Sequence, residues 1–112
     1  MKLRRCIDKD NKPVGWSHYC PGCGNDHLIW VEQPNKEGAR WTFDGNEAVP
    51  TFNPSIRCYY WSKWDTEKQQ PAEGAVQITT CHYHLHAGVL KYCADSKHEL
   101  AGKNVPLPDY DP

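Results

Sequence analysis

In the stretch HYCPGCGNDH, from His18 to His27, only Pro21 and Gly22 separate the thiols of Cys20 and Cys23. Thiols so placed close a disulfide loop or supply half of a metal site. In a metal knuckle both sulfurs reach one ion at about 2.3 Å while the backbone turns tightly around it. Proline starts such a turn with a fixed φ, and glycine lets the chain close it. Gly24, directly after the second thiol, suits the same tight loop. A redox CxxC is the competing reading, but such motifs precede a helix in a βαβ unit, and nothing helical follows here.

A knuckle supplies two ligands, and a closed structural zinc site takes four. Candidates for the rest concentrate in Cys81-His82-Tyr83-His84-Leu85-His86. On a strand successive side chains point to opposite faces, so Cys81, Tyr83 and Leu85 share one face and His82, His84 and His86 the other. Cys81 and His82 then hold one ion together only if the strand bends or ends between them. The histidine row could instead hold a catalytic metal with an activated water, or be an exposed polar strand face. His27 follows the knuckle closely enough to fold back on it. His98 would begin a short turn, with Asp95 or Ser96 as its cap, and either histidine could be a ligand or could hydrogen-bond to one. Cys6, Cys58 and Cys93 lack partners at ligand spacing and read as buried free thiols.

Around these residues the chain is small and nearly neutral: 112 residues, 24% charged, formal net charge −1. That length predicts one domain over residues 1–112. The balance carries no field for nucleic acid. Met1-Lys2-Leu3-Arg4-Arg5 leads into charge, so no signal peptide is expected, and no apolar run approaches the roughly 20 residues of a membrane span. A cytoplasmic protein follows as the expectation, and there six cysteines point to metal or reactivity rather than disulfides.

Helical periodicity is nearly absent, while β-branched and aromatic residues cluster between Gly, Pro, Asn and Asp, which predicts a mostly β fold. The expected strands are Leu28–Gln33, Arg40–Phe43, Ser55–Trp61, Val76–His86 and Val89–Cys93. A hairpin, Gln77–Cys93, should turn at Ala87-Gly88. Asp65–Gly74 should be an exposed loop, and Ser96–Ala101 one helical turn closed by Gly102. Pro106 and Pro108 predict an extended tail. The basic start (Lys2, Arg4, Arg5, Lys9, Lys12) and acidic end (Asp109, Asp111) read as solvated termini. The run Arg57–Trp64 interleaves aromatics with cations, as single-stranded nucleic-acid platforms do, but a thin β core also needs aromatics. Alternate members are therefore assigned to the core, with Trp61 or Trp64 left for a partner.

Tyr19-Cys-Pro-Gly-Cys-Gly, Trp41-Thr-Phe, Pro50-Thr-Phe-Asn-Pro-Ser55, Cys81-His82, Gly88, Asp95-Ser-Lys-His98-Glu-Leu-Ala-Gly102 and Val105-Pro-Leu-Pro108 occur in that order. Together they resemble a family of small phage and prophage zinc-binding proteins of uncharacterised function, often labelled "ammonia monooxygenase". A single domain of this size has no room for the membrane spans and copper machinery of that label. The family pattern falls on Cys20, Cys23, His27, Cys81, His82 and His98, and not on His84 or His86. It implies a viral accessory protein in a bacterial cytoplasm.

The resulting expectation is a small zinc-ribbon-like β domain whose knuckle packs on the hairpin. Zinc ligands are Cys20, Cys23 and Cys81, with His98 ranked just ahead of His82 for the fourth place. The expected function is a non-enzymatic binding module that engages or inhibits a host defence protein, with neither membrane nor nucleic acid as partner. The alternative is a small metal-dependent hydrolase using the His82/His84/His86 face.

Overall fold

The computed structural model describes residues 1–110, so of the acidic end Asp111 lies outside the described residues. Among the described residues there are eleven strands and no helix: β1 (Arg4–Ile7), β2 (Pro13–Cys20), β3 (Asn25–Trp30), β4 (Thr42–Phe43), β5 (Phe52–Asn53), β6 (Ile56–Trp61), β7 (Trp64–Asp65), β8 (Gln70–Pro71), β9 (Gln77–His86), β10 (Val89–Tyr92) and β11 (Asn104–Pro106). The first three form an antiparallel meander. A second sheet runs in the order β11-β10-β9-β6, and β4-β5 and β7-β8 are two-stranded ladders.

The second sheet is built around β9. Its alternation is the one expected: Cys81, Tyr83 and Leu85 are buried, while His84 and His86 are exposed. Burying one side chain in two stabilises a single register, because a one-residue slip would turn that whole set to water. The hairpin to β10 pairs His86 with Val89 across Ala87 (φ 48°) and Gly88 (φ 76°). Positive φ at both central residues gives a turn whose twist matches that of the strands. The core joins both sheets, with Cys20 and Ile29 from the meander packed among Phe52, Ile56, Tyr83, Leu85, Leu90, Tyr92 and Leu107.

Several local expectations change. The basic start is exposed at Arg4 and Arg5, as expected, but it is also ordered, because β1 pairs with β2 and Arg5 bonds to Glu32. Asp109 is tied to the N-terminal amine at 3.3 Å. The tail contributes β11, which Pro106 permits because it lies on a sheet edge where no amide is needed. The largely exposed stretch 65–74 closes the β7-β8 ladder, in which Trp64 pairs with Pro71 and Asp65 with Gln70. Within Ser96–Ala101 the chain bends at Lys97 and His98 and enters a turn over 99–102, with the Ala101 amide donating to the His98 carbonyl at 3.2 Å. The aromatic run does not alternate into the core: in β6 only Ile56 is buried, because β6 is an edge strand with an irregular register at Cys58/Tyr59.

Candidate functional site

Strand alternation sends two adjacent residues of β9 to opposite faces, and each face holds a group of reactive side chains. On the inner face Cys81 joins Cys20, Cys23 and His98, with all four donor atoms within 4.8 Å of one another. Cys20 Sγ and Cys81 Sγ are 4.0 Å apart, and Cys81 Sγ is 3.3 Å from His98 Nε2. A tetrahedral ion with bonds of about 2.3 Å to sulfur and about 2.0 Å to nitrogen needs edges of about 3.8 and 3.5 Å, so the four donors fit one.

The local chemistry agrees with that fit. The Cys81 thiol hydrogen-bonds to Cys20, and with the Tyr92 hydroxyl and the Cys23 amide it lowers the Cys20 thiol to about 4, while the same contact raises Cys81. Cys20 is thus the sulfur favoured as a thiolate, the form a metal binds. Gly22 is required by space: a Cβ there would lie 2.3 Å from the His98 ring. The other nitrogen of that ring, Nδ1, faces the Leu100 amide at 3.2 Å. An ion on Nε2 leaves the proton on Nδ1, so this amide must turn aside.

Behind the cysteines lies a buried polar bridge. The Tyr83 hydroxyl is 2.6 Å from His18 Nε2 and 3.1 Å from His27 Nδ1. Burial lowers His18 to about 4, so its ring is neutral. His18 Nδ1 donates to the Tyr19 carbonyl, which leaves Nε2 to accept from Tyr83 and lets His27 donate to the Tyr83 oxygen. His27 is therefore a packing and hydrogen-bonding residue behind the cysteines.

On the outer face His82 takes a different part from the one expected. Its Nδ1 lies 3.1 and 3.2 Å from the two carboxylate oxygens of Asp95, and its Nε2 lies 3.2 Å from Ser55 Oγ. A carboxylate can only accept, so Nδ1 carries the proton and Nε2 is left to accept from the serine hydroxyl. Backbone contacts set the ring: the His82 amide donates to Ser96 Oγ, and the Ser96 hydroxyl and Cys93 amide donate to the His82 carbonyl. Ser55 immediately precedes β6, and its carbonyl accepts from the Trp41 indole at 3.1 Å. A serine, a histidine accepting its proton and a carboxylate fixing the tautomer are the parts of a nucleophilic acyl-transfer site.

A protein-family profile described as "Bacterial ubiquitination-like system serine protease (BubE)" matches residues 3–93. The chain belongs to this family. Neither a curated protein nor a solved structure matches it. Membership in BubE overturns the expected non-enzymatic binding module aimed at a host defence protein, since the family is described as a protease. It overturns the metal-dependent hydrolase as well. Both nitrogens of His82 are engaged by Asp95 and Ser55, and the grouping of metal-capable side chains around His82 brings in Cys93 and Asp95 rather than His84 and His86.

The residue types at Ser55 and Asp95 are too common to stand out. Their signal is positional: both lie in the ordered motifs, in Pro50–Ser55 and Asp95–Gly102. Cys6, Cys58 and Cys93 are free and half-buried, and burial pushes the Cys58 thiol up to about 11. No helix among the described residues is long and apolar enough to cross a membrane.

Proposed function

We propose that this chain is a serine peptidase of a bacterial ubiquitination-like system, with Ser55 as nucleophile, His82 as general base and acid, and Asp95 holding the imidazole. The contact that carries this reading is Ser55 Oγ to His82 Nε2 at 3.2 Å, with Asp95 on the opposite nitrogen. Ser55 Oγ adds to the substrate's amide carbonyl as its proton passes to Nε2. That proton is then delivered to the leaving amine as the C–N bond breaks, leaving an acyl ester on Ser55. Water, deprotonated by the same nitrogen, attacks the ester, and Ser55 regains its proton. In a ubiquitination-like system the fitting substrate is an amide bond at the C-terminal end of a ubiquitin-like protein, in a precursor or a conjugate.

The second part of the reading is a structural zinc ion held by Cys20, Cys23, Cys81 and His98. Four protein donors leave no open position, and Cys81 faces away from Ser55, so the ion takes no part in the chemistry. Its role is to join the knuckle, β9 and the 95–98 turn, contributing directly to folding of the 112-residue unit. Six free cysteines suit a reducing compartment such as a bacterial cytoplasm.

The test is labelling with a fluorophosphonate, which phosphonylates activated serines with loss of fluoride. Mass spectrometry should find the adduct on Ser55, with Ser55→Ala and His82→Ala unlabelled but folded. A folded, zinc-loaded chain that takes no label at Ser55 would end the peptidase reading.

A further inference from the structure

A peptidase must also hold its substrate's chain in line with the nucleophile, and one backbone edge runs straight from Ser55. In the hairpin His86 pairs with Val89 in a hydrogen-bonded pair, as flanking residues of a two-residue turn do. Alternation then directs the backbone groups of His84 and His82 toward β10, and the His82 carbonyl indeed accepts from the Cys93 amide at 2.8 Å. Tyr83 and Cys81 consequently face β6, where their partners are Ile56 and Cys58. Arg57, opposite His82, therefore turns its N–H and C=O away from β9.

The pattern continues past the irregularity at Cys58/Tyr59. The Ser62 amide donates to the Val76 carbonyl at 2.9 Å, which keeps the even-numbered residues of β6 facing β9. Arg57, Tyr59 and Trp61 all point their backbone groups to the other side. Among the described residues no strand pairs there, since β6 is the last strand of its sheet. Ser55 has the same parity, and its carbonyl on that side is met by the Trp41 indole. Natural proteins cover or blunt such an edge unless something is meant to pair with it.

We propose that the free edge of β6 is the substrate-binding site, taking an extended segment of the substrate as an added β-strand that leads its scissile bond to Ser55. The proposal rests on the peptidase reading and specifies its substrate as an unfolded, strand-competent tail rather than a folded surface. Added strands lie about 4.8 Å from their neighbour and repeat every two residues, about 6.8 Å. Arg57, Tyr59 and Trp61 thus offer three successive pairs of backbone partners, and the edge reads conformation more than sequence. Side-chain preference comes from the groove beside it, of about 490 Å³, lined by the rings of Trp30, Tyr59, Trp61 and Trp64 together with the charged Lys36, Glu37 and Arg57. Trp64 is 50% exposed, so its ring is available to an incoming chain. Long side chains with an apolar stem, on every second residue of the tail, fit a groove of this mixed lining.

The experiment uses the full chain with its metal. A peptide library prepared from a digested, denatured bacterial proteome is incubated with it, and the best-cut sequence is remade as a decapeptide with one N-methyl group at each amide in turn. Methylation removes the donor and blocks close approach. Along an edge, every second methyl group away from the scissile bond should lower kcat/KM about tenfold or more, and those between should change it less than about threefold. Fluorophosphonate labelling of Ser55 is measured alongside. A labelled enzyme that shows no alternation, or that cuts none of the library, overturns the edge-binding proposal alone. Absence of labelling brings down the peptidase reading and this proposal with it.

Discussion

Asp95→Asn separates the two readings open to the contact between Asp95 and His82, because they predict opposite ratios of stability to activity. As an ion pair it is partly solvated, with side-chain exposures of 26% for His82 and 55% for Asp95. Such pairs contribute about 0–1 kcal/mol, so for a domain of this size the melting temperature should move by no more than about 4 °C. As part of the relay its effect is far larger. Asparagine presents an NH₂ group to Nδ1, which favours the proton on Nε2 and leaves no acceptor for the Ser55 hydroxyl. In a buried triad this change costs about 10⁴ in kcat. Here water reaches the carboxylate and can replace part of its effect, so a loss of about 10³ is expected, or about 4 kcal/mol of barrier. The assay is the second-order rate of fluorophosphonate labelling at Ser55, with a thermal melt of the same sample. Labelling within about tenfold of the parent, with the melt unchanged, would show that the contact is only a surface pair and refute the reasoning.

Three further perturbations probe what supports the relay. Tyr83→Phe leaves His18 Nε2 and His27 Nδ1 facing a buried methine, at about 1–2 kcal/mol each, so the melt should fall by roughly 8–16 °C. A fall under about 3 °C would mean the bridge is not formed. Gly22→Ala places a methyl group 2.3 Å from the His98 ring and should weaken metal affinity at least about tenfold in competition with a chelator; parental affinity would remove His98 from the ligand set. Cys20→Ser should lose bound zinc, the cooperative melt and Ser55 labelling together, as expected where metal binding is coupled to folding. Labelling that survives complete loss of metal would uncouple the two faces of β9.

What could be read before folding follows from how far each signal reaches along the chain. The knuckle is local, and Cys20-Pro-Gly-Cys23 declares its turn by composition alone. The hairpin is nearly local, set by Ala87-Gly88 and the alternation through Cys81–His86. That alternation already places Cys81 and His82 on opposite faces, and the structure keeps them there. The relay is of another kind. Ser55, His82 and Asp95 come from three separate stretches, and nothing about a serine before a strand or an aspartate after one marks it as reactive until the β6–β9 register sets Arg57 against His82. The same is true of the free edge: that β6 is last in its sheet is a property of strand order, which no single stretch encodes. Of the meander, Leu28–Trp30 is marked by its composition, but Arg4–Ile7 begins with two arginines and Pro13–Cys20 is interrupted by Pro13, Gly15 and Ser17, so neither shows a strand-like run.

The 95–98 turn is the element shared by the metal-capable cluster on one face of β9 and the proposed relay on the other. Within four residues Asp95 meets the His82 ring, Ser96 clamps the His82 backbone, the Lys97 amide donates to the Thr80 carbonyl at 2.9 Å, and His98 reaches Cys81. The turn straddles β9, so fixing either side fixes the other. Asp95 is more than half exposed and has no helix or strand of its own to hold it. Left to local forces, such a turn would sample many arrangements, and a carboxylate displaced by about 1 Å costs a large part of its catalytic effect. An ion held on the inner face as proposed would anchor His98 and Cys81 through bonds far stronger than a surface hydrogen bond. Through the two intervening residues, Ser96 and Lys97, it would hold Asp95 against His82 without touching the reacting atoms.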